Sequence, residues 1–392
     1  MATKFAAQEV KDVLTQDPLA LYVHWPFCVS KCPYCDFNSH VRERVDQEAW
    51  CEALLSDLAH EAALLPGQRL TSIFFGGGTP SLMDPATVSR IIGAARRHWD
   101  FGDELEITLE ANPSSVEADR FADLAAAGVN RVSLGLQSLD DEALAFLGRA
   151  HGVREGLAAL ETAQRWFPRV NIDLIYALPG QDEAAWDSML ARALALGTDH
   201  MSLYQLTIEP GTRFATLVQS GNLQPLEAEA AASLFELTQQ RTSAAGLPAY
   251  EISNHAKPGQ ESRHNLAYWR YQDYAGIGPG AHGRRLGQRS VRHRKPENFL
   301  SAVSRNGHGI VEEEALTPRE AAHEALVMGL RLAEGIDTAS LAERLGVETL
   351  VDERAAGRLE DHGLVERRAG RLAVTASGRL LLDSILAEIA AD

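Results

Sequence analysis

Residues 20–39 read Ala-Leu-Tyr-Val-His-Trp-Pro-Phe-Cys-Val-Ser-Lys-Cys-Pro-Tyr-Cys-Asp-Phe-Asn-Ser. The apolar run at 21–25 predicts a β-strand, and the proline that follows ends it because it cannot donate to a sheet. The loop after the proline carries three cysteines in the spacing C-x3-C-x2-C, namely Cys28, Cys32 and Cys35. Thiolates favour iron–sulfur clusters, zinc or Cu(I), so we expect the loop to turn its sulfur atoms onto one metal centre.

The number of cysteines narrows the choice of metal. Structural zinc takes four ligands, and no second Cys pair or Cys/His pair at matching spacing follows the loop. The only other cysteine, Cys51, shares a predicted helical face with Leu55 and Leu58, which indicates a buried core thiol. Three thiolates without a fourth suit a four-iron cluster that leaves one iron open for another ligand.

Composition and charge restrict the class of protein. The chain has 392 residues, four cysteines and a formal net charge of −17. The length suggests two or three domains, and the few cysteines favour a reducing compartment over a disulfide framework. The acidic balance disfavours nucleic acid and anionic membranes as partners. Without a signal-peptide core or an apolar run of membrane-spanning length, the sequence predicts a cytoplasmic protein with no integral membrane segment.

Strand and helix patterns alternate along the first half of the chain and predict an α/β fold. Six strands are predicted, at residues 21–25, 70–75, 105–109, 131–136, 170–176 and 201–208. Polar residues or glycines follow the strands, at the edge where α/β barrels place their active sites. Six βα units rather than eight predict an incomplete (β/α)6 barrel, which we place at residues 18–212.

Two further regions follow the predicted barrel. Residues 213–310 are less regular; they contain the stretch His-Asn-Leu-Ala-Tyr-Trp at 264–269 and a glycine-rich stretch at 276–283 that we interpret as tight turns or close backbone approach. Residues 311–392 predict helices, a hairpin and a terminal helix, which together indicate a mainly helical, winged-helix-like domain. Because acidic residues outnumber basic ones there, we expect this domain to pack on the barrel or cover it rather than bind DNA.

The cysteine spacing is the signature of radical S-adenosylmethionine (SAM) enzymes, and the sequence resembles that superfamily. The stretch Gly-Gly-Gly-Thr-Pro at 76–80, after the second predicted strand, matches the glycine motif of the superfamily. The resemblance implies that the three cysteines hold a [4Fe–4S] cluster whose open iron is chelated by the amino and carboxylate groups of SAM. It also implies that an electron from the cluster cleaves SAM to a 5′-deoxyadenosyl radical.

The resemblance further implies a set of SAM-binding residues. The bare backbone of the glycine motif would admit the methionine amino group, and Arg149 would pair with the carboxylate. Other side chains would lie around the ribose, the methionine and the adenosyl–cluster pocket. The whole predicted set is Tyr22, Tyr34, Gly77, Gly78, Thr79, Glu110, Gln137, Arg149 and Asp173. The alternative for each is a polar strand-end residue that bonds loop amides.

Within the superfamily, the chain most resembles the oxygen-independent coproporphyrinogen III oxidase family, which has two branches. The dehydrogenase branch extends the cluster motif to a fourth cysteine, at the position that Phe37 occupies here, and adds an amino-terminal extension. The other branch, the HemW-type haem chaperones, has phenylalanine at that position and an H-N-x-x-Y-W motif, matched here at 264–269. The second branch therefore fits better.

A haem site has a physical basis in that motif. His264 can ligate haem iron, and Tyr268 and Trp269 offer flat apolar surfaces to the macrocycle. The alternative for His264 is a histidine bonded to backbone, and His282 could instead serve the SAM or haem site. A basic run could meet haem propionates, although we favour a solvated loop for it; its members are Arg284, Arg285, Arg289, Arg292, Arg294 and Lys295.

The sequence thus predicts a protein that binds a [4Fe–4S] cluster, SAM and haem, and that passes haem to an acceptor apoprotein. A reductant such as flavodoxin or ferredoxin would supply electrons. We assign no catalytic residue, and whether SAM cleavage contributes to haem transfer stays open. The alternative is an enzyme that oxidatively decarboxylates coproporphyrinogen III to protoporphyrinogen IX. A third class, a winged-helix regulator that senses redox state through the cluster, would require salt-sensitive DNA binding.

Overall fold

The computed structural model describes residues 18–390. In that range the strands are β1 (Pro18–Trp25), β2 (Phe27–Cys28), β3 (His40–Val41), β4 (Arg69–Gly77), β5 (Asp100–Ala111), β6 (Arg131–Gln137), β7 (Arg169–Tyr176), β8 (His200–Gln205), β9 (Asn254–Ala256), β10 (Tyr274–Ile277), β11 (His282–Arg285), β12 (Gln288–Arg292), β13 (Ile310–Ala315), β14 (Val365–Arg368) and β15 (Arg371–Val374). The helices are α1 (Gln47–Leu64), α2 (Pro85–His98), α3 (Ser115–Ala118), α4 (Phe121–Ala126), α5 (Asp141–Phe146), α6 (Val153–Trp166), α7 (Glu183–Leu194), α8 (Arg213–Gln219), α9 (Ala228–Ala244), α10 (Arg263–Trp269), α11 (Pro296–Asn306), α12 (Pro318–Gly329), α13 (Thr338–Leu345), α14 (Glu353–Asp361) and α15 (Leu382–Ile389). Short 3-10 turns lie at Pro80–Leu82 and Arg379–Leu381.

Eleven of these strands form one open sheet in the order β13-β12-β11-β10-β1-β4-β5-β6-β7-β8-β9. The strands from β10 to β8 in this order run parallel, whereas β9 and the hairpins of β11 to β13 pair antiparallel with their neighbours. All six predicted strands are present, and the sheet does not close on itself. The predicted α/β fold with an incomplete barrel is therefore confirmed.

A seventh parallel strand, β10, lies beside β1 where the sequence predicted tight turns or close backbone approach. It has four residues, Tyr-Ala-Gly-Ile, too few for a strand pattern to show. Its glycine, Gly276, is required by the next strand, because a Cβ there would collide with the carbonyl oxygen of His282. The glycine density thus marks a close approach of two strands, and β11–β13 extend the sheet further on this side.

Helices pack on one face of the parallel strands, and the side chains between the helices and this face form the main core. Alternate residues of β1, Leu21, Val23 and Trp25, are fully buried in this core. Cys51 of α1 is also fully buried, as predicted. At the start of α1, α2, α5 and α7 an aspartate accepts a hydrogen bond from a first-turn amide; these residues are Asp46, Asp84, Asp140 and Asp182. The caps fix the residue at which each helix begins, and therefore the length of the loop between that helix and the preceding strand.

The prediction of a solvated loop for the basic run is wrong for three of its arginines. Arg284, Arg285 and Arg292 are buried on β11 and β12. Arg292 pairs with Asp57 and Glu61 of α1 at 2.8 and 2.6 Å, and Arg285 pairs with Glu61 at 2.6 Å. Acidic partners on α1 thus neutralise the guanidinium groups of Arg285 and Arg292 and fasten the β11–β13 extension to the barrel.

The C-terminal region has a core of its own, formed by residues between 322 and 389. Helices α12–α14 precede the hairpin β14–β15 and α15 follows it, which is the predicted winged-helix-like arrangement. Trp269 of α10 contacts this region, since its ring centroid lies 4.9 Å from the guanidinium carbon of Arg331. The division of the chain after residues 212 and 310 stays a prediction. No helix within residues 18–390 is long and apolar enough to cross a membrane.

Candidate cluster and SAM site

The carboxyl ends of the parallel strands surround a cavity of about 1010 Å³. The cysteine loop forms one wall, and polar residues of β4 to β8 form much of the rest. Eleven of the thirteen predicted site residues line this cavity, namely Cys28, Cys32, Cys35, Tyr34, Gly77, Gly78, Thr79, Glu110, Gln137, Arg149 and Asp173. The fold therefore brings together side chains from five strands and their loops.

The cysteine loop is held by backbone pairing and by one asparagine. β2 and β3 pair at its two ends, so the loop returns to its starting point. The side-chain amide of Asn38 donates to the carbonyl oxygens of Pro279 and Arg294 at 2.9 and 3.0 Å. All three thiols are half-buried. Within the described residues, no group of three or more His, Cys, Asp or Glu side chains is placed to hold a single metal ion.

Hydroxyl groups lie beside two of the thiols. The Thr79 hydroxyl lies 3.5 Å from the Cys28 sulfur, and the Ser39 hydroxyl lies 3.9 Å from the Cys35 sulfur. Thr79 is itself fixed, because its amide donates to the carbonyl oxygen of Phe27 at 2.8 Å. Donors in these positions stabilise negative charge on thiolates and on cluster sulfur.

Arg149, which the sequence predicts to pair with the SAM carboxylate, lies beside the Cys32 thiol. Its Nη1 donates to the Cys32 sulfur at 3.3 Å, and its Nη2 donates to Asn112 Oδ1 at 2.6 Å. Its buried Nε has no hydrogen-bond partner among the described residues. A buried N–H group without a partner costs free energy, so an acceptor atom of a bound ligand fits this position.

Gly77 and Gly78 are required by close packing at the end of β4. Gly77 has a φ of +115°, and a Cβ there would lie 2.6 Å from the His24 ring. A Cβ on Gly78 would lie 2.7 Å from the carbonyl oxygen of Phe27. The amide of Gly77 donates to Glu110 Oε2 at 3.1 Å. The glycine motif therefore holds the second barrel strand against β1 and the cysteine loop.

Two buried carboxyl groups face the same cavity. Burial, reinforced by the nearby charge of Asp173, raises the pKa of Glu110 to about 8. Burial also raises the pKa of Asp173, although hydrogen bonds from Asn171 and Ser133 act in the opposite direction. A carboxyl group that titrates near neutrality can either donate to or accept from a hydroxyl group.

The backbone is strained where two strands end at the cavity. Gln137 at the end of β6 and Ala177 after β7 have φ values of 65° and 58°, a left-handed conformation that residues other than glycine rarely adopt. The side chain of Gln137 lines the cavity from this position. Backbone strain of this kind clusters at functional sites.

Tyr22 and His264 are the two predicted site residues that do not line the cavity. They lie in a buried group of rings, in which the ring centroid of Tyr22 is 6.3 Å from the ring centroids of both Phe74 and His264. The Tyr22 hydroxyl contacts Nδ1 of His24 at 2.9 Å. Tyr22 therefore supports the end of β1, where the cysteine loop begins.

The His264 ring is 2% exposed and stacks on Phe74 at 4.9 Å. Its Nδ1 contacts the Ser72 hydroxyl at 2.9 Å, and its Nε2 contacts the Tyr268 hydroxyl at 3.1 Å. Burial lowers the pKa of His264 to about 3, so the ring is neutral. Ligation of haem iron by this ring would require α10 to rearrange. Tyr268 and Trp269 likewise face protein, since they pack on Tyr274 and Arg331.

Comparison with known proteins identifies the family. Residues 22–193 match the radical SAM superfamily, and residues 316–381 match the HemN C-terminal domain. The haem chaperone HemW of Escherichia coli is 38% identical to this chain, over 94% of this chain and 97% of its own length. The chain belongs to the HemW family of radical SAM proteins.

Other similar proteins agree with this family. HemW of Bacillus subtilis is 32% identical over 92% of this chain and 96% of its own length. The mitochondrial radical S-adenosyl methionine domain-containing protein 1 of Bos taurus is 40% identical over 94% and 86%. Among solved structures, the coproporphyrinogen III oxidase HemN of E. coli matches with a TM-score of 0.79 and 24% identity, over 97% of this chain and 92% of that one, and so shares the fold.

As a radical SAM protein of the HemW family, the chain takes a [4Fe–4S] cluster and SAM as cofactors. The cavity residues fit both groups. The three thiols are half-buried and have donors beside them, as a cluster requires. The partnerless Nε of Arg149 and the carboxyl groups of Glu110 and Asp173 offer a donor and acceptors to the polar groups of SAM.

Sequence reasoning missed Asn112, which connects two of the donors in this HemW-family cavity. Its Oδ1 accepts from Arg149, and its Nδ2 donates to the Thr79 hydroxyl oxygen at 3.1 Å. Asn112 comes two residues after Glu110, directly after the end of β5. The expectation that polar residues at strand ends line the site therefore applies to Asn112 as well. The sequence did not show which of these neighbouring polar residues reaches the cysteine loop.

Proposed function

We propose that this protein is a haem chaperone, which binds haem and passes it to an acceptor apoprotein. The observation that carries the proposal is the 38% identity to the E. coli haem chaperone HemW over nearly the whole of both chains. The likeness to coproporphyrinogen III oxidase, at 24% identity, supports a shared fold alone. Phe37 favours the same choice, because the dehydrogenase branch carries a fourth cysteine at that position.

The residues of the cavity would bind and orient the two cofactors. When bound, the cluster and SAM supply one-electron chemistry. The three cysteines would hold the cluster, with Thr79, Ser39 and Arg149 donating toward its sulfur ligands. Glu110, Gln137 and Asp173 would bind the ribose and methionine of SAM. Tyr34 would close the pocket beside the cysteine loop, where its ring packs 6.4 Å from Phe214.

Haem requires an apolar surface, and the rim of the cavity provides one. Val29 and Phe37 of the cysteine loop are 73% and 61% exposed, and Val116 on another wall is 69% exposed. The cavity wall mixes apolar side chains with carboxyl, amide and hydroxyl groups, and these polar groups suit SAM better than a macrocycle face. We therefore place haem at the rim.

The iron ligand in this proposal is His282 rather than His264. His282 is exposed at the start of β11, and its ring makes no hydrogen bond within residues 18–390. Pro279, three residues earlier, accepts the hydrogen bond from Asn38 that ties this segment to the cysteine loop. A neutral exposed imidazole is a suitable axial ligand for haem iron.

A reductant is part of the proposal, because the cluster needs an electron donor. Lys31 is exposed on the cysteine loop, close to the sulfur ligands. An acidic carrier such as flavodoxin or ferredoxin would meet this positive charge with a complementary surface.

The test separates chaperone from dehydrogenase in one preparation. Protein reconstituted anaerobically with iron and sulfide is divided between a haem titration followed by transfer to a haem-free b-type apoprotein, and an assay with SAM, dithionite and coproporphyrinogen III. We expect haem to bind and to move to the acceptor, with no protoporphyrinogen formed. Formation of protoporphyrinogen with release of carbon dioxide would overturn the proposal, and so would failure of the wild-type protein to bind haem. Cys32→Ala is the control that removes radical chemistry from the second assay.

A further inference from the structure

We propose that a hydrogen-bond relay behind the cavity wall positions the Asp173 carboxylate for SAM. The relay runs through four side chains, namely Asn265, Tyr250, His200 and Asn171. It gives the asparagine of the His-Asn-Leu-Ala-Tyr-Trp stretch a role in the SAM site. This role rests on the proposed binding of SAM in the cavity and does not depend on haem.

The contacts of the relay are continuous. Asn265 Nδ2 lies 3.0 Å from the Tyr250 hydroxyl, which lies 3.0 Å from His200 Nε2. His200 Nδ1 lies 2.6 Å from Asn171 Oδ1, and Asn171 Nδ2 lies 2.7 Å from Asp173 Oδ1. Asn265, Asn171 and Asp173 line the cavity. Tyr250 and His200 connect them from behind its wall.

One arrangement of protons satisfies the whole relay when Asp173 is ionised. A carboxylate only accepts, so Asn171 must turn its NH2 group to Asp173 and its oxygen to His200. His200 then carries its proton on Nδ1, and its Nε2 accepts from the Tyr250 hydroxyl. The hydroxyl oxygen of Tyr250 in turn accepts from the NH2 group of Asn265. Every donor in the relay therefore points toward the carboxylate.

A second set of contacts requires the same orientation of Asn171. Asn171 Nδ2 also lies 3.0 Å from Ser202 Oγ, and the Ser202 hydroxyl donates to Asn254 Oδ1 at 2.9 Å. Asn254 Nδ2 donates to Glu251 Oε1 at 2.7 Å, which fixes its oxygen toward Ser202. With its proton used in this way, Ser202 offers Asn171 an acceptor, and only the NH2 group of Asn171 can meet it.

The relay also needs a neutral imidazole, which has one donor and one acceptor. Burial, together with the charges of Arg131 and Arg169, keeps the pKa of His200 well below its usual value. The directed relay stabilises an ionised Asp173 against the cost of its burial. The ligand group that this carboxylate would accept from is a hydroxyl or an ammonium group, and SAM carries both.

The test measures the affinity of the cluster-loaded protein for SAM, from the change that SAM makes in the EPR spectrum of the reduced cluster. Tyr250→Phe cuts the relay without a change of charge, and we expect the affinity to fall about fivefold. Tyr271→Phe is the matched control, because the Tyr271 hydroxyl donates to Glu324 in the C-terminal region at 2.9 Å. Its loss should leave the affinity within about twofold of wild type.

Asn265 provides the sharper comparison. Asn265→Leu removes the last donor but keeps the bond from Tyr250 to His200, so the affinity should fall only about twofold. The carboxylate of Asn265→Asp would accept from Tyr250, so Tyr250 would no longer donate to His200, and the reversed bonds would oppose the orientation of Asn171 that Ser202 requires. We expect about a tenfold loss at about pH 8, although the added negative charge alone would favour the cationic ligand. A structural role for residue 265 would instead make the leucine variant the weaker binder.

The outcomes distinguish this inference from the SAM site itself. Wild-type protein that loads the cluster but shows no response to SAM would refute SAM binding in the cavity. Wild-type protein that binds SAM, with Tyr250→Phe and Asn265→Asp both within about twofold of it, would overturn the relay alone. Iron content and circular dichroism identify a variant that has lost its fold. If Tyr250→Phe loses its fold, the relay is tested by the two Asn265 variants alone, and a SAM affinity of Asn265→Asp that is not below that of Asn265→Leu would overturn it.

Discussion

The cysteine loop and helix α10 carry the two motifs that the sequence suggests as ligand sites, and their surroundings differ. The three thiols are half-buried at the wall of a large cavity, with exposed Val29 and Phe37 beside them. The His264 ring is almost fully buried, and both of its nitrogens contact hydroxyl groups of the protein. The loop presents its ligand atoms to a cofactor, whereas the helix uses its polar atoms within the fold.

The difference shows what a motif can and cannot specify. Residue types and spacing define which chemistry a segment is capable of, and thiolates at C-x3-C-x2-C have few structural uses in a loop. Histidine and tyrosine serve equally well as ligands and as hydrogen-bonded core residues. The surroundings decide between these two uses, and for α10 they are supplied by β4 and β10.

The largest effect is expected from Cys32→Ala. Removing one of three thiolates leaves the cluster without a full ligand set, so the anaerobically reconstituted variant should retain almost none of the wild-type iron and sulfide. The measurement is iron and acid-labile sulfide per chain, together with the visible spectrum. Cys51→Ala is the control, because this fourth thiol is buried in the core away from the cavity, and its variant should load normally. Equal iron in the two variants would contradict the assignment of the ligands.

Much of the barrel could be predicted because its signals are local. Each of the six strands has an apolar run followed by a polar or glycine residue, and the resemblance to radical SAM proteins then assigned SAM-binding roles to Glu110, Gln137 and Asp173, at or near the strand ends. Strand β10 could not be predicted in the same way. It has four residues, and it is defined by pairing with β1, which lies some 250 residues earlier in the chain.

The basic run shows the limit for charged residues. Asp57 and Glu61 lie one helical turn apart on α1, and nothing near them in sequence marks them as buried. Their partners Arg285 and Arg292 come from strands that follow more than 220 residues later. The local sequence pattern therefore suggests that both the acidic pair and the two arginines are exposed to solvent. Only the packing of α1 on the β11–β13 extension brings the opposite charges together.

The second prediction compares the effects of removing two histidines, the buried His264 of α10 and the exposed His282, on stability and on the haem spectrum. His264→Ala removes a buried ring and leaves the Ser72 and Tyr268 hydroxyls without this partner, so the free energy of unfolding should fall by about 2–4 kcal/mol. Bound haem in the folded variant should keep its wild-type absorption spectrum. His282→Ala removes an exposed ring, so it should change stability by less than about 0.5 kcal/mol and alter the haem spectrum.

Urea unfolding under anaerobic conditions and a haem titration of each variant make this measurement. The reverse pattern would restore His264 as the ligand: a stable His264→Ala protein with an altered haem spectrum, beside a His282→Ala protein with an unchanged one. That result would also mean that α10 rearranges when haem binds, because the ring has no nitrogen available in the present conformation.

The smallest expected effect compares two glutamates on one strand, β5. Burial opposes ionisation of Glu106, but the charges of Arg131 and Arg169 outweigh it and lower the pKa of this carboxyl. Glu110 has no such partner, and burial with the charge of Asp173 raises its pKa to about 8. A raised carboxyl pKa means that the folded protein binds a proton that the unfolded chain has released, so its contribution to stability declines as pH rises toward 8.

The buried histidines with lowered pKa values act in the opposite direction, because the unfolded chain still binds protons near their ordinary pKa of 6.5, but they contribute equally to the wild-type protein and to Glu110→Gln. Between about pH 6.5 and 8 the SAM-free wild-type protein should therefore lose roughly 1.5 kcal/mol of stability relative to Glu110→Gln. Urea midpoints of both proteins across this window provide the measurement. Parallel pH curves for the two proteins would show that Glu110 is already ionised in the cavity, and its environment would then resemble that of Glu106 earlier on the same strand.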